Sequence, residues 1–77
     1  MKTTSIYLLK DLARSSDLSI HTVKYYLKIG LIREVGRSPE TNYRYFDQTT
    51  LDRLEKICLL RRDGKSLEQI QTVLSNH

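Results

Sequence analysis

Two helical patterns follow each other near the start of the chain, and the short connection between them restricts how the chain can fold. Leu9, Leu12 and Ala13 recur at helical spacing, and this pattern ends at Ser15-Ser16-Asp17. A second pattern begins after Ser19, whose hydroxyl is predicted to cap the new helix. Because the residues from Ser15 to Ser19 leave room only for a tight turn, the two helices must pack at an angle.

The second helix is predicted to have two distinct faces. The apolar face is expected to bury against the first helix and consists of Ile20, Val23 and Leu27. The basic and aromatic face has the spacing i, i+3, i+4, i+7 and consists of His21, Lys24, Tyr25 and Lys28. Tyr26 lies near the boundary between the two faces. Gly30 is predicted to end the helix in the left-handed conformation that glycine adopts without strain.

A loop with the only proline, residues 36–42, divides the chain into two helical halves. The short β-prone runs Leu31-Ile32 and Tyr43 to Phe46 are expected to pair as a hairpin with residues 33–42 as its tip. Arg37 then lies at the tip and Arg44 in the second strand.

The second half is predicted to form two helices. Asp47 is suited to cap the first helix, Asp63-Gly64 closes it, and its buried stripe is expected to be Leu51, Leu54, Ile57 and Cys58. Ser66 to Gln69 have the pattern of a capping box for the last helix, whose inward residues are expected to be Leu67, Ile70, Val73 and Leu74. The predicted order is helix, helix, hairpin, helix, helix.

Composition favours a small protein without enzymatic activity. At 77 residues and 39% hydrophobic content, the chain is expected to form one small core and no buried catalytic cavity. It shows no paired carboxylates, nucleophile motif or glycine-rich phosphate loop, so neither catalysis nor a cofactor is expected. A single cysteine excludes an internal disulfide and a cysteine metal cluster, which favours the reducing cytoplasm. No apolar run reaches the roughly 20 residues that span a bilayer, so no membrane partner is expected.

Positive charge is concentrated in the middle of the chain. The net charge is +4, and between Ser19 and Phe46 only Glu34 and Glu40 oppose five bases: Lys24, Lys28, Arg33, Arg37 and Arg44. In a helix-turn-helix the start of the second helix meets base edges in the major groove, where the candidates are His21, Thr22, Lys24 and Tyr25. Lys24 can donate to guanine or phosphate, and Thr22 can donate, accept or offer its methyl group to thymine.

Several of these residues also have a structural interpretation. The hydroxyls of Tyr25 and Tyr26 can contact phosphate oxygens, but the rings can instead serve packing. For Tyr25, on the polar face, the DNA contact is favoured, and for Tyr26 both interpretations stay open. Arg37 and Arg44 are placed to reach phosphates, yet Arg44 could instead form a surface salt bridge to Glu34 across the hairpin. Cys58 is expected to be a core residue.

From about Tyr7 to Leu74 the chain resembles the DNA-binding domain of the MerR family of bacterial transcription regulators. The resemblance rests on motifs in a specific order: Leu12-Ala13, Ser19 to Tyr26, Ile29 to Ile32, Asn42 to Phe46, Leu51 to Leu54 and Gly64 to Ile70. It implies a mainly α, winged helix-turn-helix domain over residues 1–77, with the hairpin as the wing. The expected parts are the helix-turn-helix at about 8–30, the wing at about 31–46, and helices at about 47–63 and 66–75.

The resemblance also implies DNA contacts and partners. The recognition-helix contacts would be His21, Thr22, Lys24, Tyr25 and Tyr26, and the phosphate contacts would include Arg44, Lys65 and Ser66. Such regulators bind pseudo-palindromic promoter sites as dimers and distort the DNA for RNA polymerase. Two residues depart from the family pattern, Asp17 where glycine is usual and His21 where arginine is common. No segment corresponds to a dimerisation helix or an effector domain, so a homodimer is expected only of a full-length form.

The sequence therefore predicts a sequence-specific regulator that binds double-stranded DNA and lacks a C-terminal effector domain. Two alternatives stay open. The fold could serve an excisionase-like or architectural factor that bends DNA. It could also serve a protein-interaction module, such as an anti-repressor, whose basic face docks an acidic partner.

Overall fold

The computed structural model describes residues 6–75, which form four helices and a two-stranded hairpin. In chain order these are α1 (Leu9–Ser16), α2 (Ile20–Lys28), β1 (Gly36–Arg37), β2 (Arg44–Tyr45), α3 (Gln48–Arg62) and α4 (Leu67–Ser75). The predicted order and the mainly α, winged helix-turn-helix architecture are confirmed. None of the helices within residues 6–75 has both the length and the apolar character needed to cross a membrane.

The turn between α1 and α2 is set by local backbone chemistry. Asp17 adopts the left-handed conformation with φ of 59°, which a short polar side chain tolerates in place of glycine. The hydroxyl of Ser19 then accepts a hydrogen bond from the backbone N–H of Thr22 at 3.1 Å, so the predicted cap is confirmed. Gly30 ends the helical segment with φ of 84°, also as predicted.

The first strand of the hairpin was misplaced by the sequence prediction. Leu31 and Ile32 belong to no strand; both are buried in the core, and their N–H groups bond back to the carbonyl of Tyr26. The pairing instead joins Gly36 to Tyr45 and Arg37 to Arg44. The prediction failed because a short apolar run fits a core segment as well as a strand. Arg37 consequently lies in a strand opposite Arg44, not at the tip.

A contact that the sequence did not reveal joins the start of the chain to the hairpin. Tyr7 and Phe46 exchange backbone hydrogen bonds of 2.8 and 2.7 Å, and the Tyr7 hydroxyl donates to Gln48 at 2.9 Å. This bridge lies directly before α3, whose first turn is capped by Asp47 as predicted. The segment that precedes α1 is therefore tied to the base of the wing.

The core is formed by all four helices and by the segments on either side of the hairpin. Its buried apolar residues are Leu12, Ala13, Val23, Tyr26, Leu31, Ile32, Phe46, Leu51, Leu54, Ile57, Ile70 and Leu74. Cys58 is half-buried on α3, where burial raises the pKa of its thiol and keeps it protonated.

Two residues assigned to buried stripes are exposed instead, Ile20 at 44% and Val73 at 43%. In α2 the buried stripe runs through Val23 and Tyr26, so it is rotated away from Ile20. In α4 it runs through Ile70 and Leu74, which leaves Val73 at its edge. The predicted capping box of α4 is confirmed by reciprocal bonds of 2.8 and 3.1 Å between Ser66 and Gln69.

Candidate nucleic-acid interface

The polar face of α2 is open to solvent. His21, Lys24 and Lys28 are exposed, and the Tyr25 side chain is 50% exposed. The Ser19 cap and the left-handed Gly30 define the two ends of the helix that carries these side chains. The basic and aromatic face is therefore accessible on a short helix of nine residues, and its contact with DNA stays a prediction.

Thr22 differs from its neighbours on this helix because its polar atoms are already engaged. It is half-buried, and its hydroxyl lies 2.9 Å from the hydroxyl of Ser19, which also accepts from the Thr22 backbone N–H. A hydroxyl bonded within the cap is less available to a base edge. The methyl group remains the part of Thr22 best suited to a contact with thymine.

Tyr26 packs in the core, which favours its structural interpretation. The residue is only 7% exposed, and its ring centroid lies 6.5 Å from that of Tyr25. Burial raises the pKa of the Tyr26 hydroxyl, while the nearby charge of Arg61 acts in the opposite direction. A phosphate contact by Tyr26 stays a prediction, but its ring packs in the core and so anchors α2.

In the wing, one carboxylate holds two arginines. Arg37 and Arg44 face each other on β1 and β2, and their Nε atoms lie 3.0 and 3.2 Å from the two carboxylate oxygens of Glu34. The salt bridge to Glu34 that the sequence suggested for Arg44 is therefore present. It places the two guanidinium groups side by side at the surface, and their binding to phosphate stays a prediction.

Two adjoining clefts connect the face of α2 with the wing. One, of about 730 Å³, is lined among others by Lys24, Lys28, Arg33 and Arg44. The other, of about 710 Å³, is lined among others by Lys10, Lys24, Arg37 and Arg44. Because Lys24 and Arg44 belong to both, we refer to the two clefts together as the basic groove.

Some residues of the basic groove were missed by the sequence prediction, and several predicted residues do not line it: His21, Thr22, Tyr25 and Tyr26 of α2, and Lys65 and Ser66. Lys10, Arg33, Asn42 and Tyr43 contribute to the lining. Of these residues, only Arg33 could have been predicted from the sequence, because its charge belongs to the basic central segment. Lys65 and Ser66 line neither cleft; they lie just before α4, where Ser66 is engaged in the capping box.

Within residues 6–75, no group of three or more histidine, cysteine, aspartate or glutamate side chains is placed to hold a metal ion. The chemistry that the basic groove offers is instead that of cationic and hydroxyl donors along an open surface. Such donors suit an extended polyanion.

Comparison with known proteins gives consistent results. The family described as "MerR HTH family regulatory protein" matches residues 7–77. The chain is similar to the HTH-type transcriptional regulator SkgA of Caulobacter vibrioides, with 38% identity over 72 residues that cover 91% of this chain and 27% of SkgA. It is also similar to the mercuric resistance operon regulatory protein of Bacillus cereus, with 36% identity over 83% of this chain and 48% of the relative.

A solved structure has the same fold. HiNmlR, described as a MerR family regulator that lacks the sensor domain and is bound to promoter DNA, superposes with a TM-score of 0.79 and 29% identity, over 90% of this chain and 52% of that one. The chain thus spans about a quarter to a half of the length of the relatives compared with it.

Proposed function

Because the chain belongs to the MerR HTH family of regulatory proteins, we propose that it binds double-stranded DNA sequence-specifically and regulates transcription. It acts as a regulator and not as an enzyme, in keeping with the regulator relatives. One observation carries the proposal: Lys24 and Lys28 from the exposed face of α2 and the two wing arginines line one basic groove. Under this proposal, residues 1–77 form one DNA-binding domain.

The residues of α2 would read bases from the major groove. Lys24, at the centre of the groove, suits guanine acceptors or a phosphate, and His21 and Tyr25 flank it on the same exposed face. Thr22 would contribute its methyl group. Tyr26 would act mainly by supporting Tyr25, since its own ring is buried.

The remaining basic residues would position the protein on the phosphate backbone. Lys28 at the end of α2 and the pair Arg37 and Arg44 in the wing suit this role, because guanidinium and ammonium groups neutralise phosphates without reading sequence. Lys65 and Ser66 would contact a phosphate at the start of α4, where the positive end of the helix dipole favours an anion.

Selection of bound duplexes from a random DNA library tests the proposal. We expect an enriched motif, and we expect Lys24→Ala to change that motif while Arg44→Ala lowers affinity for all duplexes alike. Binding without any enriched motif would indicate an architectural DNA-bending factor. Absence of binding at low salt would indicate a protein-interaction module, and either result would contradict sequence-specific reading.

For a full-length form we further propose a homodimer on a pseudo-palindromic promoter site, with an effect on RNA polymerase, and a cytoplasmic location. The family resemblance supports these features. The unpaired Cys58 is compatible with a reducing compartment.

A further inference from the structure

We infer that the cleft between the end of α2 and the first turn of α3 binds a phosphate-type oxyanion through Arg33 and Arg53. This oxyanion cleft has a volume of about 550 Å³ and is lined among others by Gly30, Arg33, Thr50 and Arg53. The assignment of this site rests on the geometry of the cleft and not on the proposed function. It extends the proposed function only if the anion is a phosphate of bound DNA.

The charge of the oxyanion cleft is uncompensated. Two guanidinium groups line it and no acidic side chain does. Both ion pairs found among residues 6–75 use Glu34, and both go to the wing arginines. Arg33 and Arg53 therefore have no carboxylate within 4 Å in that part of the chain. Glu68 shares a neighbouring cleft with Arg53 but lies beyond this distance.

Asp47 is the acidic residue at the start of α3, and its position does not neutralise the cleft. Its carboxylate accepts hydrogen bonds from the Thr49 backbone and hydroxyl as the helix cap, and it does not line the cleft. These hydrogen bonds hold the pKa of Asp47 below its ordinary value, so the carboxylate stays committed to the cap.

Arg53 is held in position for such a ligand. Its Nε atom donates to the backbone carbonyl of Leu31, which fixes the plane of a half-buried guanidinium group. A guanidinium group has five N–H donors, and within residues 6–75 this is the one hydrogen bond that the Arg53 side chain makes. The remaining donors suit two oxygens of a phosphate, which arginine binds in a bidentate manner.

Thr50 supplies a further donor at the cleft. The residue is 6% exposed and lines the cleft, yet its hydroxyl has no hydrogen-bond partner among residues 6–75. Among residues 6–75 no fully buried side-chain polar atom lacks a hydrogen-bond partner, so this hydroxyl is accessible to solvent in a residue that lines the cleft. A hydroxyl that is accessible from the cleft and makes no other hydrogen bond can donate to an oxyanion.

The position of the cleft connects it to DNA. Gly30 and Arg33 also line the part of the basic groove between α2 and the wing. A backbone that follows the groove past the end of α2 would bring its next phosphate to Arg33 and Arg53. The same chemistry would accept free inorganic phosphate, so the test has one arm for each source.

The first arm measures how DNA affinity depends on salt for the wild type and for Arg33→Gln. Arg33 is exposed and forms no hydrogen bond or ion pair within residues 6–75, so this variant should fold normally. Loss of one phosphate contact lowers the slope of log K against log salt by about 0.9. When salt is raised from 50 to 200 mM, the factor by which affinity falls should thus be about 3.5 times smaller for the variant than for the wild type. Arg62→Gln, an equal charge change at the exposed end of α3, should leave the slope unchanged.

The second arm titrates the ¹⁵N-labelled chain with inorganic phosphate without DNA. We expect saturable shifts of the Gly30, Thr50 and Arg53 Nε signals, which Arg33→Gln weakens and Arg53→Lys reduces by removing the bidentate fork. A changed salt slope together with saturable shifts of Thr50 and the Arg53 Nε identifies a DNA phosphate in the cleft, and such shifts with an unchanged slope identify the free anion. Because Arg33 also lines the basic groove, a changed slope without these shifts would place the contact in the groove and would contradict the inference. The absence of both effects would overturn the inference. Failure of the wild type to bind any duplex would contradict the proposed function, while the phosphate arm would still decide on the cleft.

Discussion

The ion pairs of the wing imply that Glu34 competes with DNA. Its carboxylate holds both Arg37 and Arg44, at 3.0 and 3.2 Å, and these are the arginines expected to meet phosphates. A phosphate can engage them fully only if it replaces or shares this carboxylate. Replacing Glu34 by glutamine removes the competitor and nearly preserves its shape. Glu34→Gln should therefore bind DNA more tightly than the wild type.

The size of the effect follows from the exposure of the pairs. The arginine side chains are 44% and 45% exposed, so each pair is a surface salt bridge worth about 0.5 kcal/mol. Two such pairs give about 1 kcal/mol, which corresponds to about fivefold tighter binding. Because Glu34 also orders the two side chains, part of this gain is offset by the entropy of arranging them on DNA.

Fluorescence anisotropy with a selected duplex at constant salt measures the change, and Glu40→Gln is the matched control. Glu40 lies in the same wing, is exposed and forms no ion pair within residues 6–75, so its variant removes the same formal charge without freeing an arginine. The excess gain of Glu34→Gln over Glu40→Gln isolates the two ion pairs. Equal affinities for the two variants would refute the competition. Weaker binding by Glu34→Gln would show that the carboxylate orients the arginines for DNA.

Three further predictions concern stability. Ser19→Ala removes the cap of α2 and should cost about 1 kcal/mol, lowering the melting temperature in calorimetry by about 4–8 °C; an unchanged value would contradict the capping role. Gln71→Leu deprives the Ile29 carbonyl of its 2.9 Å donor and should cost about 1–3 kcal/mol in urea denaturation, more than Thr72→Val, which removes only a bond within α4. The cap lowers the pKa of Asp47 in the folded chain, so its stabilisation is present above the ordinary pKa of 3.8 and lost as pH falls through the lower folded value. Asp47→Asn, which keeps a capping oxygen, should show a smaller loss of melting temperature between pH 5 and 2 than the wild type, and an equal loss would refute the assignment.

Features decided by neighbouring residues were predictable from the sequence. The caps at Ser19, Asp47 and Ser66 and the terminal Gly30 each depend on hydrogen bonds or backbone conformation within a few residues. The exposed face of α2 followed from helical periodicity in the same way. Local rules of this kind fix where helices begin and end, and so they fixed most of the architecture.

Features that depend on distant residues were not predictable. The β-bridge between Tyr7 and Phe46 joins residues 39 positions apart, and no local sequence pattern predicts it. Leu31 was assigned to a strand because apolar character alone does not distinguish a strand from a core segment. The double ion pair of Glu34 depends on the register that places Arg37 opposite Arg44, and that register was wrong in the sequence prediction.

The width of a buried stripe depends on what packs against it. Periodicity included Ile20 and Val73, but the partners of α2 and α4 cover only the centre of each stripe. For Tyr26, at the boundary of two faces, the sequence left both interpretations open, and packing favoured the core. In the same way, the oxyanion cleft brings Arg33 together with Arg53 of α3, 20 residues later, which only the tertiary structure shows.

The most direct test of the central claim is to map the DNA-binding surface by amide chemical shifts. The ¹⁵N-labelled chain is titrated with the duplex obtained by selection, and the shift changes are assigned residue by residue. We expect the largest changes in α2, residues 20–28, and in the wing, residues 36–45, with small changes on the exposed face of α3 around Asp52, Glu55 and Leu59. Large changes on that face of α3 with α2 unaffected would contradict the account.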